Sequence, residues 1–346
     1  MSSIVFLPAM HDVNLGFRAD ILEAADFYRR WRRYGADELS RRLASDLPPE
    51  EATLLTKANL VTWANQDSLG FNAWCERLRG LDWRQRAEMA SRVLACVGVG
   101  DAIVQATRRV NRPLFVPSPY ASLAFLNMST PLGLGSNATM FGLSALVIEA
   151  AISIQPGRVI EVGFGSGLTA ANLILACRSI CSYTGYEPNH TLTSLWQAGS
   201  KGTEGLDVIA PVWAPFKVHA AEFDSESLLL FSCGVNWNAY NAVRKMVAET
   251  RGLHCIVPRP LLPEEFHQPG ISQMIRWRDR PVSSYAEYLS VPRAYMVLEL
   301  LTGAEGVVRS TLVCSNIQYI AYREFGGFPA QAEPFVLGPL DKLVHG

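Results

Sequence analysis

From residue 142 onward the chain alternates short unbroken apolar runs with longer segments whose apolar residues recur every three to four positions. The runs "RVIEVG" from Arg158, "CSYTGYE" from Cys181, "FKVHAAEF" from Phe216, "LLLFSCG" from Leu228 and "HCIVPRP" from His254 have the length and apolar content of buried strands. Between them, "GLSALVIEAAISI", "TAANLILACRS" and "NAYNAVRKMVAETRG" have helical spacing, the last stopping at Gly252. Strands alternating with helices predict a doubly wound, mostly parallel α/β sheet covered on both faces. Residues 293–326 hold two β-rich runs joined by a glycine-containing turn, which predicts a C-terminal antiparallel hairpin.

The first 112 residues have only the helical period. "RADILEAADFYRRWRRYG" stops at Gly35, "ADELSRRLASDL" follows, "PPEEATLLTKANLVTWANQ" opens on prolines and an acidic turn, and "DWRQRAEMASRVLACVGVGDAIVQATRRV" supplies at least one more helix. Trp31, Trp63, Trp74 and Trp83 predict an aromatic-packed unit here. Between the two regions, residues 113–148 contain no charged side chain and no histidine. Pro113, Pro117, Pro119, Pro131, Gly133, Gly135 and Asn137 interrupt the stretch, so it reads as buried irregular chain and not as a membrane span. The predicted organisation is a helical lid domain (1–112), an uncharged connecting segment (113–141) and a ligand-binding α/β domain (142–346).

Composition narrows the partners. Lys+Arg total 31 against 32 Asp+Glu, a net charge of -1, so no cation excess exists to neutralise nucleic acid. The seven cysteines are scattered and show no CxxC pair, which predicts reduced thiols in a cytoplasmic protein and no metal site. The N-terminal "MSSIVFLPAM" lacks the basic start and small-residue cleavage pattern of a signal peptide.

The candidate chemistry lies in "RVIEVGFGSGLTAANLILACRSICSYTGYEP", residues 158–188. Gly163, Gly165 and Gly167 allow a tight turn after a strand and a close approach of backbone to ligand. The spacing is GxGxG, with Leu168 where a dinucleotide fingerprint has its third glycine. Glu161 stands two residues before the first glycine and would repel a pyrophosphate there by roughly 1–4 kcal/mol, favouring a cationic ligand instead. Glu187, ending the next strand 20 residues beyond Gly167, has the spacing of a carboxylate that accepts both ribose hydroxyls. A ligand with a positive end and an adenosine-like ribose is S-adenosylmethionine.

At these residues the chain resembles the class I S-adenosylmethionine-dependent methyltransferases. "PLGLGSNATMFGLSALVIEAAISIQPGRVIEVGFGSGLTAA" is similar in particular to protein-L-isoaspartate methyltransferases. The resemblance implies a Rossmann-like methyltransferase fold and a transferase activity. It implies that Glu161 and the loop Gly163–Gly167, with Ser166 and Thr169, hold the methionine moiety. Glu187 and Pro188 would border the ribose, and Glu222 the adenine amino group, with Asp224 the second choice. One departure stands out: the family's Thr-Ile-Ser reads Thr139-Met140-Phe141 here, a phenyl ring in place of a hydroxyl. That points to a substrate other than an isoaspartyl residue.

Methyl transfer needs an aligned nucleophile in a dry site, and a base only if the nucleophile carries a proton. After "LLLFSCG" the chain offers Ser232, Asn236, Trp237, Asn238 and Tyr240, none a good base. His190, His219 and His254 read as structural. Asn137, Thr139 and Phe141 are expected to face the sulfonium, where a ring would contribute on the order of 1–2 kcal/mol of cation–π attraction. Together with Ser232 they form the catalytic candidates.

The leading expectation is therefore a small-molecule biosynthetic methyltransferase with a closed pocket under the N-terminal helices, which could instead cover a sheet edge or make a homodimer contact. The alternative on the same cofactor is attack on the aminopropyl carbon, as in azetidine-2-carboxylate or nicotianamine-type synthases, releasing methylthioadenosine. A third reading, from another class, is a cofactor-binding module without chemistry. Neither membrane nor nucleic acid is expected as a partner.

Overall fold

Among the described residues seven strands form one mixed sheet. In this computed structural model the described residues are 67–318 except 97–98, 126–129, 134–135, 140, 218–222, 224, 236, 268–275, 278–279, 291–294 and 305. The strands are β3 (Arg158–Val162), β4 (Ser182–Tyr186), β5 (Ile209–Val212), β6 (Ser227–Phe231), β7 (His254–Pro260), β10 (Tyr295–Ala304) and β11 (Val307–Gln318), in the spatial order β11-β10-β7-β6-β3-β4-β5, while β8 (Arg276–Trp277) and β9 (Arg280–Pro281) form a separate antiparallel pair. Five run parallel, β5, β4, β3, β6 and β7. Strand β10 pairs antiparallel with both β7 and β11, closing the sheet with the expected terminal hairpin.

The apolar runs alternate faces, as a period of two requires. Val159, Leu228, Leu230 and Ile256 belong to one buried cluster, whereas Ile160, Leu229, Phe231, Cys255 and Val257 belong to another on the opposite face. Helix α7 (Trp237–Glu249) contributes Tyr240, Val243, Met246 and Val247 to the second cluster. Helices α4 (Phe141–Ile154), α5 (Leu168–Ala176) and α6 (Thr193–Lys201) supply the first. From β3 the chain winds outward through β4 to β5, then returns to β6 on the other side of β3. That reversal opens a crevice beyond the carboxyl ends of β3 and β6, the usual ligand position in open α/β sheets.

Before the sheet come α1 (Ser68–Gly80), capped by the Asp67 side chain on the Gly70 amide at 2.9 Å, α2 (Trp83–Cys96) and α3 (Asp101–Arg109). Helix α1 falls within the region of helical period without having been singled out, and the run from Asp82 to Val110 divides in two, with Gly100 as the N-cap of α3. Helix α3 packs on α5, and Trp74, Leu78, Ile103 and Val104 join the cluster that covers the sheet, so the core continues across residue 112. The helices expected before residue 67, with Trp31 and Trp63, lie outside the described residues.

Two expectations are corrected. Residues 113–138, read as irregular, hold 3-10 turns at Arg112–Phe115 and Ser118–Leu123 and a two-stranded hairpin, β1 (Thr130–Gly133) with β2 (Ser136–Ala138). Their composition hid the hairpin because its strands are only four and three residues long and include Pro131. The third parallel strand is Ile209–Val212, which the sequence reading passed over for the run from Phe216. Pro211 sits in it because β5 is an edge strand, where a missing N–H is tolerated. Most of the expected strand at Phe216–Phe223 lies outside the described residues. No helix among the described residues is long and apolar enough to cross a membrane.

Candidate functional site

The glycine loop leaves β3 at the crevice. Gly163 has φ +85° and a Cβ there would meet Cys233 Cβ at 2.8 Å; Gly167 has φ +81° and a Cβ would meet the Trp196 ring at 2.4 Å. Left-handed backbone and absent side chains are thus both required for the loop to lie between β6 and α6. Helix α5 begins directly after Gly167, so its free amides face the crevice. Ser166 is buried and Thr169 half-buried at this end.

Glu187 is 3% exposed. Its Oε2 accepts from the Gly165 amide at 2.8 Å and its Oε1 from the Asn189 amide at 2.9 Å. Burial raises its pKa, and the two amides oppose that rise. Each oxygen has spent one lone pair on the backbone and keeps one for another donor, so the carboxylate is oriented before any ligand arrives. Asn189 is pinned in turn: its Oδ1 accepts from the Thr191 amide at 3.1 Å and the Thr191 hydroxyl at 2.6 Å, while its buried Nδ2 meets no acceptor among the described residues. Pro188 between them is half-buried.

Glu161 lies deeper than its position in the sequence suggests, at 0% exposure. It accepts from the Tyr183 hydroxyl at 2.8 Å and from the Ser232 hydroxyl, which holds it across the β3–β6 boundary. Burial pushes its pKa up to about 8, against the opposing effect of these two hydroxyls. Burial thus favours its neutral carboxyl, and the repulsion expected from a fixed charge is conditional on ionisation. Ser232 is committed to Glu161 as a donor. The neighbouring Cys233 thiol is pushed up to about 12, first by burial and then by Glu187 and Glu161, so it stays protonated.

The connecting segment meets the loop through the hairpin. Leu132 Cδ1 stands 3.7 Å from the position of a Cβ on Gly165. Asn137 and Thr139 are half-buried, whereas Phe141 is 4% exposed within the main hydrophobic cluster. Glu222, Asp224, Asn236 and His219 lie outside the described residues. His254 begins β7, at the opposite end of the sheet from the loop, and its ring bonds the Thr302 hydroxyl at 3.1 Å.

Sequence reasoning missed two clusters. The Arg112 guanidinium is 4% exposed, donating through Nε to the Ala124 carbonyl and through Nη2 to the Thr139 carbonyl at 2.8 Å. Arg259, Glu265, Glu299 and Tyr240 form a second, buried network: Arg259 bonds Glu265 at 2.7 and 2.8 Å and Glu299 at 3.2 Å, and Tyr240 donates to Glu299 at 2.6 Å. The signal for it was present, since Glu299 interrupts the apolar run "VLELL" of a buried strand. No group of three or more metal-ligating side chains occurs among the described residues.

Residues 89–198 match the family model described as protein-L-isoaspartate(D-aspartate) O-methyltransferase. A protein-L-isoaspartate O-methyltransferase of Methylorubrum populi is 40% identical over 90 residues, 25% of this chain and 42% of that protein. One from Methylibium petroleiphilum is 33% identical over 114 residues, 32% of this chain and 42% of the relative. The chain thus spans about two fifths of the length of these relatives. A Plasmodium falciparum structure titled as a complex of such an enzyme with S-adenosyl-L-homocysteine has a TM-score of 0.49 at 13% identity, covering 68% of this chain and 96% of that one. Over residues 89–198 the chain is thus similar to the protein-L-isoaspartate O-methyltransferases, the likeness read from the sequence.

Proposed function

We propose that this chain is an S-adenosylmethionine-dependent methyltransferase that transfers the methyl group to a carboxylate. One observation carries the cofactor assignment: Glu187 is buried, held by two backbone amides and left with one acceptor site on each oxygen, the arrangement a ribose diol requires. Gly163, Gly165, Ser166, Gly167 and Thr169 would line the methionine end, and Glu161 would regain its charge beside the sulfonium. The curated relatives carry methyltransferase names, which supports the same reaction class.

The acceptor follows from proton inventory. Glu161 and Cys233 are both biased toward their protonated forms, and the Ser232 hydroxyl is engaged in a hydrogen bond with Glu161. An acceptor that arrives already deprotonated suits such a site, and a carboxylate does at neutral pH. Phe141 stands where the resemblance implies a hydroxyl, and it is buried in the core, which favours a small carboxylic acid over an isoaspartyl peptide. The protein-L-isoaspartate relatives make the peptide the necessary comparison.

The test incubates the full chain with labelled S-adenosylmethionine alone, with simple carboxylic acids and with an isoaspartyl peptide. Adenosylhomocysteine formed together with a base-labile methyl ester supports the reading. Ester formed only on the peptide would replace the small acceptor by a protein one. Methylthioadenosine in the cofactor-only arm, or no cofactor consumption in any arm, would overturn methyl transfer.

A further inference from the structure

Arg112 is a buried cation with no carboxylate in ion-pair reach among the described residues. Burial pushes its pKa down to about 10, with no acid among the described residues to offset it. A guanidinium so placed loses its hydration, which the fold has to offset through the hydrogen bonds the group makes. Its partners are two backbone carbonyls, Ala124 and Thr139, the first after the 3-10 turn at Ser118–Leu123 and the second just beyond the hairpin strand Ser136–Ala138. One planar fork therefore joins two points of irregular chain fifteen residues apart, which a lysine's single ammonium could not match in geometry.

Both ends of this tie lead to the glycine loop. On one side the turn Arg112–Phe115 is seated on α6: the Phe115 ring would clash with any Cβ on Gly199 and lies 6.3 Å from the Trp196 ring. Trp196 in turn stands edge-on to Phe164, inside the loop, at 5.2 Å. On the other side the tethered hairpin carries Leu132, which approaches Gly165. Gly165 is the residue whose amide orients Glu187.

We propose that Arg112 is a positioning residue that clamps the β1–β2 hairpin against the glycine loop, so that the reacting end of the cofactor is covered at a fixed distance. The anchoring stands on the geometry above; its catalytic consequence rests on the methyl-transfer reading. Arg112 touches no reacting atom in this account and acts through the backbone it holds.

The experiment compares the full-length wild type with Arg112→Lys and Arg112→Ala. Amide hydrogen exchange is followed at Leu132 and Ser136–Thr139 and, as an internal reference, in β3 and α5. The expected result is exchange faster on the order of tenfold at the hairpin in both variants, the ratio for losing a charge-assisted hydrogen bond, with β3 and α5 unchanged. Millimolar guanidinium should slow it again in Arg112→Ala. Turnover should fall while KM for the cofactor stays within about twofold, since the ribose and methionine contacts remain. Unaltered hairpin exchange, or an equal rise in β3 and α5, would overturn the proposal by making Arg112 irrelevant or generally structural. Should Arg112→Ala not fold, Arg112→Lys decides by the same exchange ratio. Failure of the wild type to consume cofactor would refute the methyl-transfer reading and leave the exchange result standing.

Discussion

Two carboxyl groups at the ends of adjacent strands, Glu161 and Glu187, have been given different work by their surroundings. Glu187 is oriented by amides and keeps free lone pairs, so Glu187→Ala should weaken S-adenosylmethionine binding by about 1–3 kcal/mol in calorimetry through unpaired ribose hydroxyls. Unchanged affinity would remove the ribose from this position. Glu161 is governed by desolvation, and its folded pKa of about 8 lies above the ordinary carboxylate value of 4.5. The neutral form is the one the fold accommodates, so the stability Glu161 contributes is complete below pH 4.5 and is lost as pH rises through about 8. Denaturant titrations should show stability falling across that window with a slope approaching about 1.4 kcal/mol per pH unit, and Glu161→Gln should flatten it. A wild-type profile that rises with pH between 5 and 8 while the variant matches it would contradict the burial argument. Cofactor binding should show the reverse trend, tighter at pH 8 than at pH 6, because a cation beside Glu161 favours its ionised form.

At the scale of elements, the site is made where strands end and glycines begin. Val159, Ile160 and Val162 bury β3 on both faces, and the chain can turn at its end only because Gly163 and Gly167 adopt left-handed backbone beneath Cys233 and Trp196. The strand–loop–helix from Arg158 to Ala176 was legible because each of its signals is local: a β-rich run, three glycines, a helical run. The hairpin before α4 was not, because its strands are too short to show a period and pair only through the fold around them. Phe141 marks the same boundary. Its place in the sequence suggested a ring facing the sulfonium, and in the folded chain it is 4% exposed at the start of α4. Phe141→Ala should therefore lower stability by about 3–5 kcal/mol, measured by thermal or denaturant unfolding. A normal melting temperature with a large loss of turnover would return the ring to the reactive edge.

Across the whole molecule, the parallel sheet and its antiparallel extension are joined by the Arg259–Glu299 contact, with Glu265 and Tyr240 completing the network from α8 (Pro263–Phe266) and α7. Removing the cation leaves two buried carboxylates facing each other, so Arg259→Met should cost about 3–5 kcal/mol, whereas replacing both partners with apolar groups should cost much less. A double-mutant cycle with Glu299→Leu reads that difference; a single variant as stable as the parent would show the network to be solvated. The sequence alone determined the alternation of strands and helices, the glycine loop, and the acids that end β3 and β4, because period, turn chemistry and spacing within some thirty residues are local properties. Only the tertiary structure decided that Pro211 lies in an edge strand, that Glu161 is sealed between two hydroxyls where burial favours its neutral form, and that Arg112 ties two distant carbonyls. Those outcomes depend on which surfaces are removed from water together, and burial of that kind brings together residues whose separation along the chain carries no periodic signal.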